Sequence, residues 1–127
     1  MSAKSYDRHG TCIFECAAQG PLIRNYQDTI DLLGEAMSHR ARLVVIPVGR
    51  LDPDFFRLRT GLAGEMLQKF ANYRLRLAII GDVSRFSSAS TALRDLIYES
   101  NRGDSVWFLA DMLELEKRLA RQANTVP

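Results

Sequence analysis

The segment "RLVVIPVGRLDPDFFRLRTGLAGEMLQKFANYRLRLAIIGDV", residues 42–83, decides the fold of this chain. An apolar run at 42–48 opens the segment, a second run at 75–83 closes it, and an amphipathic stretch lies between them. Continuous apolar runs of this length are typical of strands that are covered on both faces. A strand, a helix and another strand in this order form a parallel βαβ unit. The segment therefore predicts an α/β fold built on a parallel sheet.

The same alternation of strands and helices continues on both sides of this segment. Shorter apolar runs at 11–17 and 105–110 predict two more strands. Turn residues before the first run predict a hairpin over residues 4–17, whose two strands would be antiparallel. We therefore predict an α/β chain with one mainly parallel, mixed sheet of four to five strands and four helices.

The four predicted helices have recognisable starts. An Asn-x-x-Asp spacing at 25–28 and an Asp-x-x-Glu spacing at 111–114 resemble capping boxes and begin the first and last helices. The second helix is expected over residues 61–73. The third helix follows a loop at 84–90 and reaches about Ser100.

Apolar side chains at helical spacing predict which face of each helix is buried. The expected buried faces of the first, third and fourth helices are Tyr26, Ile30, Leu33 and Met37; Leu93, Leu96 and Ile97; and Met112, Leu115 and Leu119.

Two local signals predict where a helical turn begins and where a helix ends. Asp52 and Pro53 predict a short helical turn after the predicted strand at 42–48. Asn101 or Gly103 is expected to end the third helix in a left-handed conformation.

Length and composition indicate one cytoplasmic domain over residues 1–127, with a frayed tail at 122–127. No apolar run reaches the roughly 18 residues of a membrane helix, and the start of the chain lacks the apolar core of a signal peptide. The net charge is +2 and no long basic block occurs. Nucleic-acid binding therefore has weak support.

The cysteines do not predict a disulfide or a metal site. Cys12 and Cys16 lie in one predicted strand, roughly 13 Å apart along it, which is too far for a mutual disulfide. His9 is close in sequence, but a structural zinc site needs a second pair of ligands and His39 is isolated. We expect reduced, buried thiols, no metal and no cofactor.

Polar residues follow the two central strands at their carboxyl ends, where ligands of parallel α/β sheets bind. Arg59 and Thr60 follow the first of these strands, and Asp82 and Ser84 follow the second. Thr60 is a natural N-cap, so the free amides behind it are able to hold an anion, with Arg59 adding a bidentate contact. A plain cap beside a solvated arginine is the commoner arrangement.

A polar row runs along the second helix at i, i+3, i+4 and i+7 spacing. This row is either the solvated side of an amphipathic helix or a partner-binding surface. Gly64 inside the helix costs about 1 kcal/mol relative to alanine, which indicates close approach of another backbone or of a ligand. The predicted ligand- or partner-binding residues are Arg59, Thr60, Gly61, Gly64, Glu65, Gln68, Lys69, Asn72, Asp82 and Ser84.

Two stretches carry a family resemblance. "LDPDFFRLRTGLAGEMLQKFANYRLRLAIIGD" at 51–82, with "LRDLIYESNRG" at 93–103 behind it, resembles the bacterial domain-of-unknown-function family 4180. The resemblance extends over nearly the whole chain from about Asp28. That family carries no established activity, so the resemblance implies a fold and little chemistry.

The order of elements is also similar to the STAS domain of anti-sigma-factor antagonists. In that family a serine or threonine followed by Gly-Leu begins the second helix, and its phosphorylation switches binding to a partner kinase. "TGLAG" at 60–64 falls at the same place, so the resemblance implies that Thr60 is the acceptor. Leu58 and Arg59 stand where the antagonists carry an acidic residue and usually another serine.

The leading hypothesis is a non-enzymatic, STAS-like regulatory or binding module. It would engage a protein partner or a small anion at the start of the second helix. The alternative is a small enzyme whose acid–base site combines Asp54, Asp82 and Glu65 at the carboxyl ends of the strands. A third hypothesis is a self-associating module such as a homodimer, because three phenylalanines lie in predicted loops: Phe55, Phe56 and Phe86.

Overall fold

The computed structural model describes residues 3–124 and contains one sheet with helices on both of its faces. The strands are β1 (Lys4–Arg8), β2 (Thr11–Glu15), β3 (Leu43–Pro47), β4 (Arg76–Ile80) and β5 (Val106–Leu109). The α-helices are α1 (Tyr26–Ser38), α2 (Leu62–Asn72), α3 (Ser84–Ser87), α4 (Thr91–Arg102) and α5 (Met112–Asn124). Three short 3₁₀ turns connect β3 to α2, at Val48–Arg50, Pro53–Phe56 and Leu58–Thr60.

The five strands lie side by side in chain order. β1 pairs with β2 in the antiparallel sense, and the other three pairs are parallel. The predicted α/β fold, with its mixed sheet and N-terminal hairpin, is therefore confirmed. The predicted loop at 84–90 is wrong in part, because the amides of Phe86 and Ser87 bond to the Val83 carbonyl and form the short helix α3.

Helices cover both faces of the central strands. α1, α2 and α4 pack on one face, against side chains such as Val44 and Leu77. α5 packs on the other face, where Leu115 and Leu119 contact a cluster that includes Val45. Leu43 to Ile46 of β3 are each at most 1% exposed. This two-sided burial is why the strand reads as a continuous apolar run.

The face that α1 buries differs from the predicted one. Tyr26 and Met37 are 44% and 48% exposed, so the predicted stripe is wrong at both ends, while Leu33 is buried as predicted. The helix instead turns its smaller side chains, Thr29 and Ala36, toward the core. Small residues at the contact let a helix lie close to its neighbours. The core faces of α4 and α5 match the prediction.

The end of α5 and the cysteines also bear on the predictions. The helix continues through Asn124, and residues 125–127 of the predicted frayed tail lie outside the described part. Both cysteines are free thiols. Cys16 is buried as expected, and burial raises the pKa of its thiol to about 11, whereas Cys12 is only half-buried.

One side chain forms hydrogen bonds with the free edge of β5. Asn101, in the last turn of α4, donates to the Phe108 carbonyl at 3.1 Å and accepts from the Phe108 amide at 2.7 Å. The side-chain amide thus takes the place of a neighbouring strand at this residue. Gly103 ends α4 at φ −97°, so the predicted left-handed ending is wrong.

Asn101→Ala should lower the free energy of unfolding by about 1–3 kcal/mol, because it leaves a nearly buried amide and carbonyl without protein partners. Urea unfolding measures the change. Asn72→Ala is the matched control, since Asn72 lies in the last turn of α2, is exposed, and bonds only to Gln68. Equal midpoints and slopes for the two variants would show that Asn101 does not protect the edge.

Candidate functional site

The structure distributes the predicted residues of the loops and of the helix start over three places at the carboxyl ends of β3 and β4. Thr60 and Glu65 line a small hollow beside α1. Arg59 lines a separate groove beside α3. Asp82 belongs to the turn that leads into α3 and lines neither of these. The residues that sequence reasoning grouped together therefore do not form one site.

Thr60 organises the turn before α2 rather than capping the helix itself. Gly61 occupies the N-cap position with φ 81°, one residue later than predicted. The Thr60 hydroxyl shares its proton between the carbonyls of Asp54 and Arg57, at 2.8 and 2.9 Å. Its oxygen accepts from the Leu62 amide at 3.3 Å. The hydroxyl therefore holds the entry to α2 in place.

The hollow between the starts of α1 and α2 is small and mixed in charge. It has a volume of about 310 Å³. Its charged side chains are the acids Asp54 and Glu65 and the cation Arg24. Asp54 is already bonded to Arg57 at 2.6 Å. Opposite charges on the walls give this hollow no clear preference for an anion.

The polar row on α2 bridges to α1 at one point and is otherwise solvated. The Lys69 ammonium lies 5.1 Å from the centroid of the Tyr26 ring, and a hydrogen bond with Tyr26 raises the pKa of Lys69. Gln68 donates to Asn72 at 2.9 Å. Glu65, Gln68 and Asn72 are exposed. The polar row is thus mainly the solvent-exposed face of an amphipathic helix.

Gly64 has no close neighbour. It is exposed, and a Cβ placed on it would meet nothing within 4 Å. The expected close approach of another backbone is therefore wrong within the described residues, whereas the close approach of a ligand stays a prediction. No packing contact among these residues explains the helix propensity lost at this position.

The three carboxylates proposed for acid–base chemistry do not meet. Asp54 and Glu65 share the hollow, but Asp82 accepts hydrogen bonds from Ser84, which lower the pKa of its carboxyl. A general acid near neutral pH requires the opposite shift. Within residues 3–124, no group of three or more His, Cys, Asp and Glu side chains is placed to hold a metal ion.

The largest cavity that the structure describes at this end of the sheet is a groove between the turn after β3 and the segment after β4. We call it the arginine groove; its volume is about 780 Å³. Its lining residues are Pro53, Phe56, Arg57, Leu58, Arg59, Arg85, Phe86, Ala89, Ser90 and Ala92.

Stacked phenylalanines form the floor of the arginine groove. The rings of Phe56 and Phe86 are nearly parallel, with centroids 4.3 Å apart, and Phe55 meets Phe56 edge to face at 5.1 Å. Phe55 and Phe56 are at most 2% exposed, so they belong to the core and do not form the self-association surface expected of exposed loops. The stack ties together two loops from adjacent strands.

The charged part of the arginine groove consists of arginines alone. None of its described lining residues is acidic. Arg57 is bonded to Asp54 outside the groove, and the guanidinium of Arg85 lies 4.4 Å from the centroid of Phe86. No hydrogen bond or ion pair holds the Arg59 side chain within the described part of the chain. Its five N–H donors are available to an external acceptor.

Sequence reasoning identified Arg59 but missed its neighbours across the groove. The available signal was the recurrence of arginine beside phenylalanine, "FFR" at 55–57 and "RF" at 85–86, after two adjacent strands. Adjacent parallel strands bring such loops to the same edge of the sheet. The phenylalanines of these two stretches were interpreted as a self-association surface instead.

A further cavity lies beyond β2 and is half the volume of the groove, about 380 Å³. The acids Asp31 and Glu35 and the buried Cys16 line it together with Arg50. Arg50 donates to the carbonyls of Ala17 and Pro21. These bonds fix the loop after β2, so the Arg50 side chain has a structural role there.

No described helix is long and apolar enough to cross a membrane.

The comparisons with known proteins identify a family and no relative of established activity. The model of the family described as "Domain of unknown function (DUF4180)" matches residues 8–119. This match confirms the first resemblance and gives no support to the STAS likeness. No curated protein and no solved structure matches the chain.

The two glycines at the start of α2 should respond oppositely to alanine. Gly64→Ala should raise the free energy of unfolding by about 0.5–1 kcal/mol, because alanine favours the helix and meets no neighbour. Gly61→Ala should lower it by about 1–2 kcal/mol, because a side chain is strained at this positive φ. Urea unfolding measures both.

Gly34→Ala is the control for Gly64→Ala, since Gly34 lies within α1 and a Cβ there also meets nothing within 4 Å. The two variants should be stabilised to a similar extent. Destabilisation by Gly64→Ala alone would restore the idea that something approaches α2 closely at this position.

Proposed function

Because the chain belongs to the family described as "Domain of unknown function (DUF4180)", we propose its function from the geometry of the arginine groove. We propose a non-enzymatic binding domain that holds a small amphipathic anion in this groove. The apolar part of the ligand lies on the phenylalanine floor, and its anionic group pairs with Arg59.

The observation that supports this proposal most is the unpartnered side chain of Arg59 beside an apolar floor. A guanidinium presents parallel N–H donors that match a carboxylate or phosphate group. Leu58 and Phe86 are partly exposed and supply hydrophobic area in the groove, and the buried Phe56 supports the Phe86 ring. With no acid among the described lining residues, a cation would be repelled and an anion attracted.

The proposed site retains Arg59 from the sequence-based hypothesis and includes none of the other predicted binding residues. Arg59 lies just before the start of α2, where binding was expected. Thr60 and Glu65 line the hollow and Lys69 contacts Tyr26 of α1, so these three residues do not line the groove. The proposal therefore needs neither a phosphorylated Thr60 nor a STAS-like switch. The separation of Asp82 from Asp54 and Glu65 gives the enzymatic alternative no support.

Isothermal titration with octanoate and with octanamide tests the proposal. The purified protein should bind the anion at least tenfold more tightly than the neutral amide. Arg59→Gln should weaken octanoate binding about tenfold, which is about 1.4 kcal/mol, and leave the amide unchanged. The effect of Arg59 should fall as salt is added, because the guanidinium is exposed.

Arg42→Gln is the matched control. Arg42 is also exposed, but it precedes β3 and so lies at the opposite end of that strand. The Arg42→Gln substitution removes one positive charge, as Arg59→Gln does, but Arg42 does not line the groove. The proposal fails if octanoate does not bind at millimolar concentration, or if both arginine variants weaken it equally.

A further inference from the structure

We infer that the ligand of the arginine groove is a planar aromatic anion, because the guanidinium of Arg85 rests on the Phe86 ring at the edge of a groove that also holds the free Arg59. This inference rests on the proposed function. It adds the shape of the apolar part and a second residue that recognises it.

The contacts beneath Arg85 form a continuous series. Phe55 contacts Phe56, Phe56 stacks on Phe86, and the Arg85 guanidinium lies over Phe86. The first two rings are buried and therefore fixed in place. Arg85 itself is exposed and lines the groove, and the inference places the ligand on the side of its guanidinium that faces away from Phe86.

A guanidinium is planar and stacks on aromatic faces, which a lysine ammonium does not do. Proteins that bind single-stranded nucleic acids stack the flat bases on arginine guanidinium planes as well as on aromatic side chains. Arg85 therefore provides the next position in the series of stacked groups. An alkyl chain would use the same hydrophobic area but not this planar surface.

The anionic group is assigned to Arg59. Arg59 and Arg85 come from the two different segments that wall the groove, so a ligand that contacts both spans it. Arg57 is bonded to Asp54, which offsets its charge, so the anionic group is not assigned to Arg57. The shared chemistry of the head group is an oxyanion, either a carboxylate or a phosphate monoester, since both match the guanidinium fork.

Four ligands separate these contributions in titration calorimetry: 2-naphthoate, decahydro-2-naphthoate, 2-naphthamide and 2-naphthyl phosphate. The first two have the same skeleton and charge but differ in planarity. We expect 2-naphthoate to bind about tenfold more tightly than its saturated analogue and than the neutral amide. Tight binding of either the carboxylate or the phosphate supports the inference, and the tighter of the two identifies the head group.

Arg85→Lys tests the stacking contact because it keeps the charge and removes the plane. It should weaken 2-naphthoate about tenfold and leave decahydro-2-naphthoate within twofold of wild type. Arg42→Lys, at the opposite end of β3, should change neither. Thermal unfolding of each variant confirms that the fold is retained, since both arginines are exposed.

The outcomes distinguish the inference from the function on which it rests. If the planar and saturated anions bind equally and Arg85→Lys weakens both or neither, the ligand is not selected for planarity, and the inference is overturned while the proposed function stands. If no anion binds, or the amide binds as tightly as the anions, the proposed function fails and the inference fails with it.

Discussion

The burial of β3 on both faces is the constraint on which the rest of the structure depends. Leu43 to Ile46 are almost inaccessible to solvent, and so each face of the sheet has to be covered by helices. Because the strands follow chain order, the connections through α1, α2 and α4 all return across one face. α5 alone is left to cover the other.

This arrangement also determines where binding is possible. The helices occupy the two faces, and the hairpin and Asn101 occupy the two edges of the sheet. The loops beyond the carboxyl ends of β3 and β4 lie outside these faces and edges, and they wall the arginine groove. Their backbone is nevertheless well fixed, because Thr60 ties the first loop and the stack of Phe56 on Phe86 joins it to the second.

Much of the fold could be predicted from the sequence because its signals are local. Continuous apolar runs predicted β3 and β4, and the asparagine at position 25 predicted the start of α1, where its side chain accepts from the Asp28 amide. The buried face of α1 was predicted wrongly for a physical reason. Hydrophobicity favoured Tyr26 and Met37, whereas close packing selected the small Thr29 and Ala36.

The candidate site was less predictable because it depends on contacts between distant segments. Sequence spacing placed Arg59 near the start of a helix, but could not show that Thr60 bonds back to Asp54 and leaves Arg59 turned to another side. Nor could spacing show that Phe86 meets Phe56. That contact creates the arginine groove, and it depends on the pairing of β3 with β4 rather than on any motif.

In the proposed function, the groove divides structural and recognition roles between neighbouring residues. Phe55 and Phe56 are buried and contribute to stability whether or not a ligand is present. Arg57, Arg59 and Arg85 are exposed and contribute little to the core. Because the floor is already ordered, binding would restrict few groups beyond the arginine side chains, and most of the interaction free energy would be available for affinity. Under this proposal, substitution of the exposed arginines would change ligand recognition without loss of the fold.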